Sequence, residues 1–131
     1  MFAYKGETLR LLEGIVDIYL PDLKYADSSE GYAYSKVPGY TEHARRALSE
    51  MFRQTGDALV FDDDAGLLKR GLVIRLLVLP NDLAGIEENL RWIKNELSPK
   101  TAISLMAQYY ATNKAAADSR YILLSRRISE R

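Results

Sequence analysis

Apolar residues are arranged in two different ways along the chain. Residues 15–20, 72–79 and 101–107 are runs rich in β-branched and other apolar residues, a pattern typical of strands. The second run is almost continuously apolar, as expected for a strand buried on both faces of a parallel sheet. The sequence therefore predicts three strands, the second of them central.

Between these runs the apolar residues are spaced by three and four positions, which predicts amphipathic helices. One helix should cover residues 41–55, and another should be capped by Asn81 or Asp82 and end before Pro99. Residues 8–13 have the composition of the last turns of a third helix. Each predicted strand is thus preceded by a helix.

This order predicts an α/β fold with a parallel sheet, in one domain over residues 1–131. Three strands cannot close a barrel. Residues 58–61 and 67–68 should add a small hairpin before the central strand, and residues 22–40 form a long connection with at most a short helix, its tyrosines packed inward. Residues 109–131 are predicted to be a less regular tail.

Composition excludes several classes of function. The chain has no cysteine, so it cannot supply thiolate ligands, disulfides or a cysteine nucleophile. Lysine plus arginine equals aspartate plus glutamate at 18 each, which argues against nucleic acid or an anionic membrane as a partner. The run at 72–79 is too short to span a bilayer and no secretory signal is visible at the start of the sequence, so we expect a cytoplasmic, soluble protein.

Charged residues at the carboxyl ends of the predicted strands are the first candidates for a site, because ligands of parallel α/β folds bind there. Asp22 and Lys24 follow the first strand and point to one side if the chain stays extended. Arg75 lies within the central strand, where its guanidinium needs an anion. That anion is either a ligand carboxylate or a structural partner, Asp17 or Asp22.

Other polar residues favour structural roles. The single histidine, His43, falls in the first turn of a predicted helix, at a surface position. The acidic run at residues 62–64 lacks the spaced oxygen ligands of a calcium loop and is predicted to be a hairpin turn. We predict no catalytic residue and no metal ligand in this chain.

Three separated blocks, at residues 12–25, 70–80 and 106–109, resemble the radical S-adenosylmethionine (SAM) proteins of the pyruvate formate-lyase activating enzyme-like family. The resemblance extends over essentially the whole chain, to residues 124–128. It implies half of a (β/α)6 barrel, with about three parallel strands and covering helices. In that family a CxxxCxxC loop holds a [4Fe-4S] cluster to which SAM binds, and no such loop occurs in this cysteine-free chain.

The resemblance also implies site residues. Asp22 and Lys24 match the D-x-K element that lies against SAM, and Arg75 matches a strand arginine that contacts the carboxylate end of SAM. Gln108 and Tyr109 would lie at the mouth of the last strand, near SAM or the substrate. All five are predicted cofactor-binding residues.

Two functions are consistent with the sequence. The first is an interior piece of an activating enzyme whose complete form cleaves SAM reductively and abstracts hydrogen from a protein substrate, a glycyl radical enzyme. Without the cluster ligands, this piece should be inactive alone. The second is a non-catalytic α/β binding or assembly module that pairs with another chain or with itself through an exposed edge strand.

Overall fold

The computed structural model describes residues 6–109 and 119–124. Its helices and strands follow the predicted alternating order: α1 (Gly6–Leu11), β1 (Ile18–Tyr19), α2 (Ser28–Ser35), α3 (Tyr40–Thr55), β2 (Val60–Phe61), β3 (Leu68–Leu77), α4 (Ile86–Trp92) and β4 (Ala102–Met106). Helix α4 continues into a π-helical turn, Ile93–Leu97. Two short 3-10 segments, Pro80–Asp82 and Ser119–Leu124, complete the described elements.

The sheet is mixed and open, with β3 at its centre. Strand β1 runs parallel to β3, with Ile18 opposite Gly71, and β4 runs parallel to β3 over five residue pairs from Val73–Ala102 to Leu77–Met106. Both β4 and the Asp22 bridge reach Arg75, so they must lie on opposite edges of β3. The short β2 is antiparallel to β3 and forms the predicted hairpin. The predictions of an α/β fold and of three parallel strands are confirmed.

Along β1 and β3, the two faces of this sheet differ sharply in exposure, whereas on β4 Leu105 points to the same side as Leu76 and is 57% exposed. One face packs under the helices, and its residues Tyr19, Leu72, Ile74 and Leu76 are all buried. Apolar residues of α1, α3 and the π-helical turn complete that core: Leu9, Ala44, Leu48, Met51 and Ile93. Because side chains alternate along a strand, the intervening residues face the other way. Of these, Ile18 is 41% and Leu20 is 55% exposed.

Helix α3 is fixed to the rest of the helical layer by both packing and polar contacts. Its buried residues recur at the helical period, and its N-cap is Gly39, whose φ of 62° lies in the left-handed region. At the far end, Arg53 donates at 2.7 Å to Glu13, which follows α1, and at 2.8 Å to Glu50 of the same helix, while the Nε2 of Gln54 donates to the carbonyl of Leu9 in α1 at 2.8 Å. The helix therefore lies firmly across the covered face of the sheet.

The first strand is shorter than predicted. Residues 15–20 were expected to be extended, but only Ile18–Tyr19 pairs as a strand. The amides of Ile15 and Val16 donate to the carbonyl of Leu12, at 2.9 and 3.0 Å, so they extend the turn after α1. These local bonds take both residues out of the ladder, which apolar periodicity alone does not reveal.

The predicted cap of the fourth helix is wrong. Helix α4 begins at Ile86 with Gly85 as its N-cap, and Asn81 and Asp82 lie in the preceding 3-10 turn with positive φ values of 59° and 55°. Gly85 has a φ of 61°, and a Cβ there would lie 2.6 Å from the Cβ of Ala26. Glycine is therefore required both by the backbone and by the close packing.

The predicted irregular tail is only partly described, since residues 110–118 and 125–131 lie outside the described part of the chain. The segment Ser119–Leu124 forms a 3-10 helix that lies against the Pro80–Asp82 turn. The Nδ2 of Asn81 donates to the carbonyl of Leu123 at 2.7 Å. Within the described ranges, no helix is both long enough and apolar enough to cross a bilayer.

Candidate functional site

The five predicted site residues lie at one edge of the sheet. Asp22 and Lys24 follow β1, Arg75 lies near the end of β3, and Gln108 and Tyr109 follow β4. These three strands are parallel, so their carboxyl ends meet at the same edge. The topology therefore brings together residues that lie far apart in the sequence.

Asp22 and Arg75 form a bidentate ion pair. Arg75 donates from Nε to Oδ1 at 2.5 Å and from Nη2 to Oδ2 at 3.0 Å. The backbone enforces this contact, because the amide of Arg75 donates to Pro21 and its carbonyl accepts from Leu23, which sets Asp22 beside it in a parallel bridge. Of the two structural partners that the sequence allowed, Asp22 is the one observed.

The ion pair lies on the open face of the sheet. The side chains are partly accessible, 38% for Arg75 and 30% for Asp22, in contrast to the buried neighbours Ile74 and Leu76. The Asp22 carboxylate raises the pKa of the Arg75 guanidinium, so the arginine is a permanent cation at this site. Because the Arg75 side chain is partly accessible, its guanidinium can bind a ligand while it is paired with Asp22.

Arg75 retains donors for a second anion. A guanidinium carries five N–H groups in one plane, and Asp22 uses one on Nε and one on Nη2. Within the described residues, no other side chain pairs with Arg75. The edge formed by Nη1 and Nη2 can therefore donate two hydrogen bonds to a second carboxylate. A lysine ammonium could not provide this bidentate geometry.

Lys24 lies near Asp22 with its side chain half-buried. Its backbone amide donates to the hydroxyl of Tyr40 at 2.7 Å, and its ammonium forms no ion pair within residues 6–109 and 119–124. Asp22 and Lys24 both line a groove of about 460 Å³ between β1 and helices α1 and α3. An acid and an amine thus border the same open space, and their role in binding a ligand remains a prediction.

Two buried tyrosines hold the connection that carries Asp22 and Lys24. The rings of Tyr25 and Tyr40 meet edge to face, with centroids 5.4 Å apart. The Tyr25 hydroxyl lies 2.9 Å from the Oγ of Ser35. Gly31 lets α2 approach this pair closely, since a Cβ there would lie 2.7 Å from the Cβ of Tyr40. The predicted inward packing is confirmed for Tyr25 and Tyr40, whereas Tyr32 is 58% exposed.

Burial raises the pKa of Tyr40 to about 12. Because the unfolded chain loses the tyrosine proton first, near pH 10, this contribution to stability is intact below pH 10 and is lost as the pH rises towards 12. Urea unfolding should therefore show a decline in the free energy of unfolding over that interval. Tyr40→Phe should make the decline shallower and cost roughly 1–3 kcal/mol at neutral pH by leaving the Lys24 amide unpaired. A decline as steep as in the parent, or a loss no larger than for Tyr32→Phe, would contradict this role.

Gln108 and Tyr109 occupy the rim beyond β4. Gln108 is exposed, whereas the Tyr109 hydroxyl donates to the carbonyl of Leu124 at 2.7 Å. Burial and the neighbouring Tyr25 both raise the pKa of Tyr109. Tyr109 therefore joins the returning 3-10 segment to the site, and the contacts of these residues with SAM remain predictions.

Sequence reasoning missed two residues of the open face. The β3–β4 register sets Ser104 opposite Arg75 and Met106 opposite Leu77, and paired residues of parallel strands point to the same side. Both side chains are half-buried. Only the β3–β4 register shows which residue of β4 lies beside Arg75. A continuous apolar run in the sequence does not indicate that register.

The remaining polar candidates have structural roles. His43 is exposed, as predicted. The Oδ1 of Asp62 accepts from the amides of Asp64 and Ala65 at 2.8 and 3.3 Å, which makes the acidic run a turn. The described ranges contain no cluster of three or more histidine, cysteine or acidic side chains arranged to hold a metal ion.

Comparison with known proteins gives a distant relative. The chain is 28% identical over 109 residues to a protein of Methanocaldococcus jannaschii named "uncharacterized protein MJ0674". The alignment covers 83% of this chain but 28% of the relative, so the chain spans less than a third of that protein. No family model matches the chain. No solved structure matches it either.

Proposed function

We propose that this chain is the SAM-binding part of a radical SAM enzyme of the pyruvate formate-lyase activating type. The observation that supports this most strongly is the position of Arg75. It lies on the open face of a parallel sheet, near the carboxyl edge, next to Asp22 and with unused donors. A cofactor with a carboxylate, an ammonium and a ribose suits that combination of charges.

The fold supports a half-barrel in this proposal. In the described part of the chain, the helices that pack on the three parallel strands lie on one face, and the face that carries Asp22 and Arg75 is the one that a closed barrel would enclose. The exposed Ile18 and Leu20 on that face would then become buried. We infer that further strands, from outside these residues, complete a (β/α)6 barrel.

The carboxylate of SAM and its ammonium or ribose have proposed partners in this chain. The carboxylate of SAM binds the free Nη1–Nη2 edge of Arg75, and Asp22 accepts a hydrogen bond from the ammonium or a ribose hydroxyl. Lys24 supplies a second cation at the rim, and Gln108 and Tyr109 border the opening. SAM itself supplies the 5′-deoxyadenosyl group, while these residues bind and orient it.

The iron-sulfur cluster does not fit the residues of this chain. Such clusters are held by cysteine thiolates, and the sequence has none. We therefore assign the cluster to a separate part of the complete enzyme and propose that this chain alone is inactive. The protein substrate, in this proposal a glycyl radical enzyme, would be recognised by the complete enzyme.

Isothermal titration calorimetry with two related ligands tests the proposed site. 5′-Methylthioadenosine retains the adenosine of SAM and its sulfur as a neutral thioether, but lacks the carboxylate, the ammonium and the sulfonium charge. We expect SAM to bind more tightly by roughly tenfold or more, because a charge-assisted bidentate contact contributes about 1.5–3 kcal/mol. Equal affinities, or binding of neither ligand at millimolar concentration, would exclude the proposed use of Arg75.

A second candidate, a non-catalytic assembly module, is favoured by the edge position of β1, which among the described strands pairs with β3 alone. The exposed Ile18 and Leu20 line the groove of about 460 Å³ together with apolar side chains of α1 and α3. An edge strand of this kind can pair with a strand of another chain. Size-exclusion chromatography with and without SAM separates the two: a stable dimer indifferent to SAM supports the module, and a monomer that binds SAM supports the enzyme fragment.

A further inference from the structure

A second groove lies on the helical side of the molecule, away from the open face of the sheet. It has a volume of about 500 Å³ and lies where α1, α3 and the end of α4 meet. Three arginines line it: Arg10 from α1, and Arg45 and Arg46 from successive positions of α3. Cations from two helices thus converge on one space.

Among the described residues, no acidic group lies within ion-pair distance of these three arginines, although the charge of Arg10 helps to lower the pKa of Glu50. Within the described residues the ion pairs of arginine involve Arg53, Arg75 and Arg91, and none involves Arg10, Arg45 or Arg46. Three guanidinium groups in one groove repel one another, the two lining glutamates offset this repulsion only in part, and an anion bound between the arginines relieves the rest.

Two glutamates also line the groove, and one of them is already engaged. Glu50 accepts from Arg53 at 2.8 Å and from Gln54 at 3.0 Å, and the Arg53 contact holds the pKa of Glu50 at about 2. Glu96, in the π-helical turn, is the other lining acid and is exposed. The arginines outnumber the two glutamates, so the groove favours an anion.

Arg45 is held in a fixed position over an aromatic ring. Its guanidinium carbon lies 5.2 Å from the centroid of the Trp92 ring, a cation–π contact that orients the guanidinium plane. The Nε of Arg45 is buried without a hydrogen-bond partner. Because Nε is buried, the donors that Arg45 offers to an oxyanion are its terminal nitrogens, which form no hydrogen bond within the described residues.

We propose that this groove binds a phosphoryl group of a small molecule. Arg45 and Arg46 donate to the phosphoryl oxygens from α3, Arg10 closes the site from α1, and the Oγ of Ser49 lies at the same rim. Donors from both α1 and α3 suit an oxyanion that is tetrahedral and carries more than one charge, because such a group can accept hydrogen bonds from several directions. The site is independent of the proposed SAM site, which lies on the other side of the sheet.

Trp92 provides a direct readout, because it is the single tryptophan of the chain. Titration of the full chain with sodium phosphate at constant pH should change the Trp92 fluorescence saturably in the millimolar range. Sodium chloride at matched ionic strength should leave it nearly unchanged. A parallel titration with adenosine monophosphate distinguishes the source: tighter binding than phosphate indicates a nucleotide, and equal binding indicates that the phosphoryl group is recognised alone.

Arg46→Gln is the most informative variant, because Arg46 is exposed and its loss should not affect folding. It should weaken phosphate binding roughly tenfold, the effect of losing one charge-assisted hydrogen bond. Arg91→Gln, which removes an exposed arginine paired with Glu87 on α4, is the matched control and should bind as the parent does. Phosphate and chloride responses of equal size, or unchanged affinity in Arg46→Gln, would overturn the proposal.

Discussion

Replacing Arg75 by alanine should abolish the preference of the chain for SAM over 5′-methylthioadenosine. The variant loses the guanidinium edge that remains free beside Asp22, and it also leaves the Asp22 carboxylate without its partner to repel the carboxylate of SAM. SAM affinity should fall roughly tenfold to a hundredfold, as expected for one bidentate charge-assisted contact. The affinity for 5′-methylthioadenosine, which lacks the carboxylate, should stay nearly constant.

Two further variants separate this effect from a general loss of charge or structure. Arg91→Ala removes another arginine engaged with a carboxylate, Glu87 at 2.8 Å, but on the exposed surface of α4. It should bind both ligands as the parent does. Arg75→Lys keeps the charge but not the planar fork, and should recover only part of the affinity. Equal losses for both ligands in Arg75→Ala would indicate a structural role for the arginine.

Leu23→Ala should produce the largest loss of stability from a single residue near the site. Leu23 is 0% exposed and belongs to the core between the sheet and the helices. Truncating a fully buried leucine costs about 2–5 kcal/mol, through lost transfer energy and the cavity left behind. Because small domains have a total stability of about 5–15 kcal/mol, the variant should unfold at a much lower urea concentration.

Leu20→Ala is the matched control for this substitution. It removes the same atoms three residues earlier, but Leu20 is 55% exposed on the open face. We expect a loss of less than about 1 kcal/mol, since surface positions contribute little to stability. Similar losses for the two variants in urea unfolding would mean that Leu20 is covered in solution, for example by self-association of the open face.

Most of the fold could be predicted because local patterns and tertiary packing agree. The helical stripe of α3 and the apolar run of β3 have distinct periods, and each is long enough to identify its element. Residues 15–20 were less informative, because β-branched composition does not distinguish a strand from a turn that follows a helix. The hydrogen bonds from the amides of Ile15 and Val16 to the carbonyl of Leu12 place these two residues in the turn and not in the strand.

The site could be predicted only in part, for a related reason. That Arg75 needs an anion follows from its place in an apolar strand, but the choice of Asp22 depends on the β1–β3 register. The same register-level information sets Ser104 beside Arg75. The helix cap failed because Asn81 and Asp82 adopt left-handed backbone conformations within a 3-10 turn, which their cap-forming side chains do not predict.

The position at which SAM binds is the most direct test of the proposed function. In amide-resolved NMR titrations of the isotopically labelled chain with SAM, we predict saturable shifts at Asp22, Lys24 and Arg75, and at Ser104 on the same face of the sheet. The groove around Arg45 and Trp92 should show no response. Shifts confined to the helical side, or no shifts at millimolar SAM in the folded chain, would contradict a SAM site on the open face.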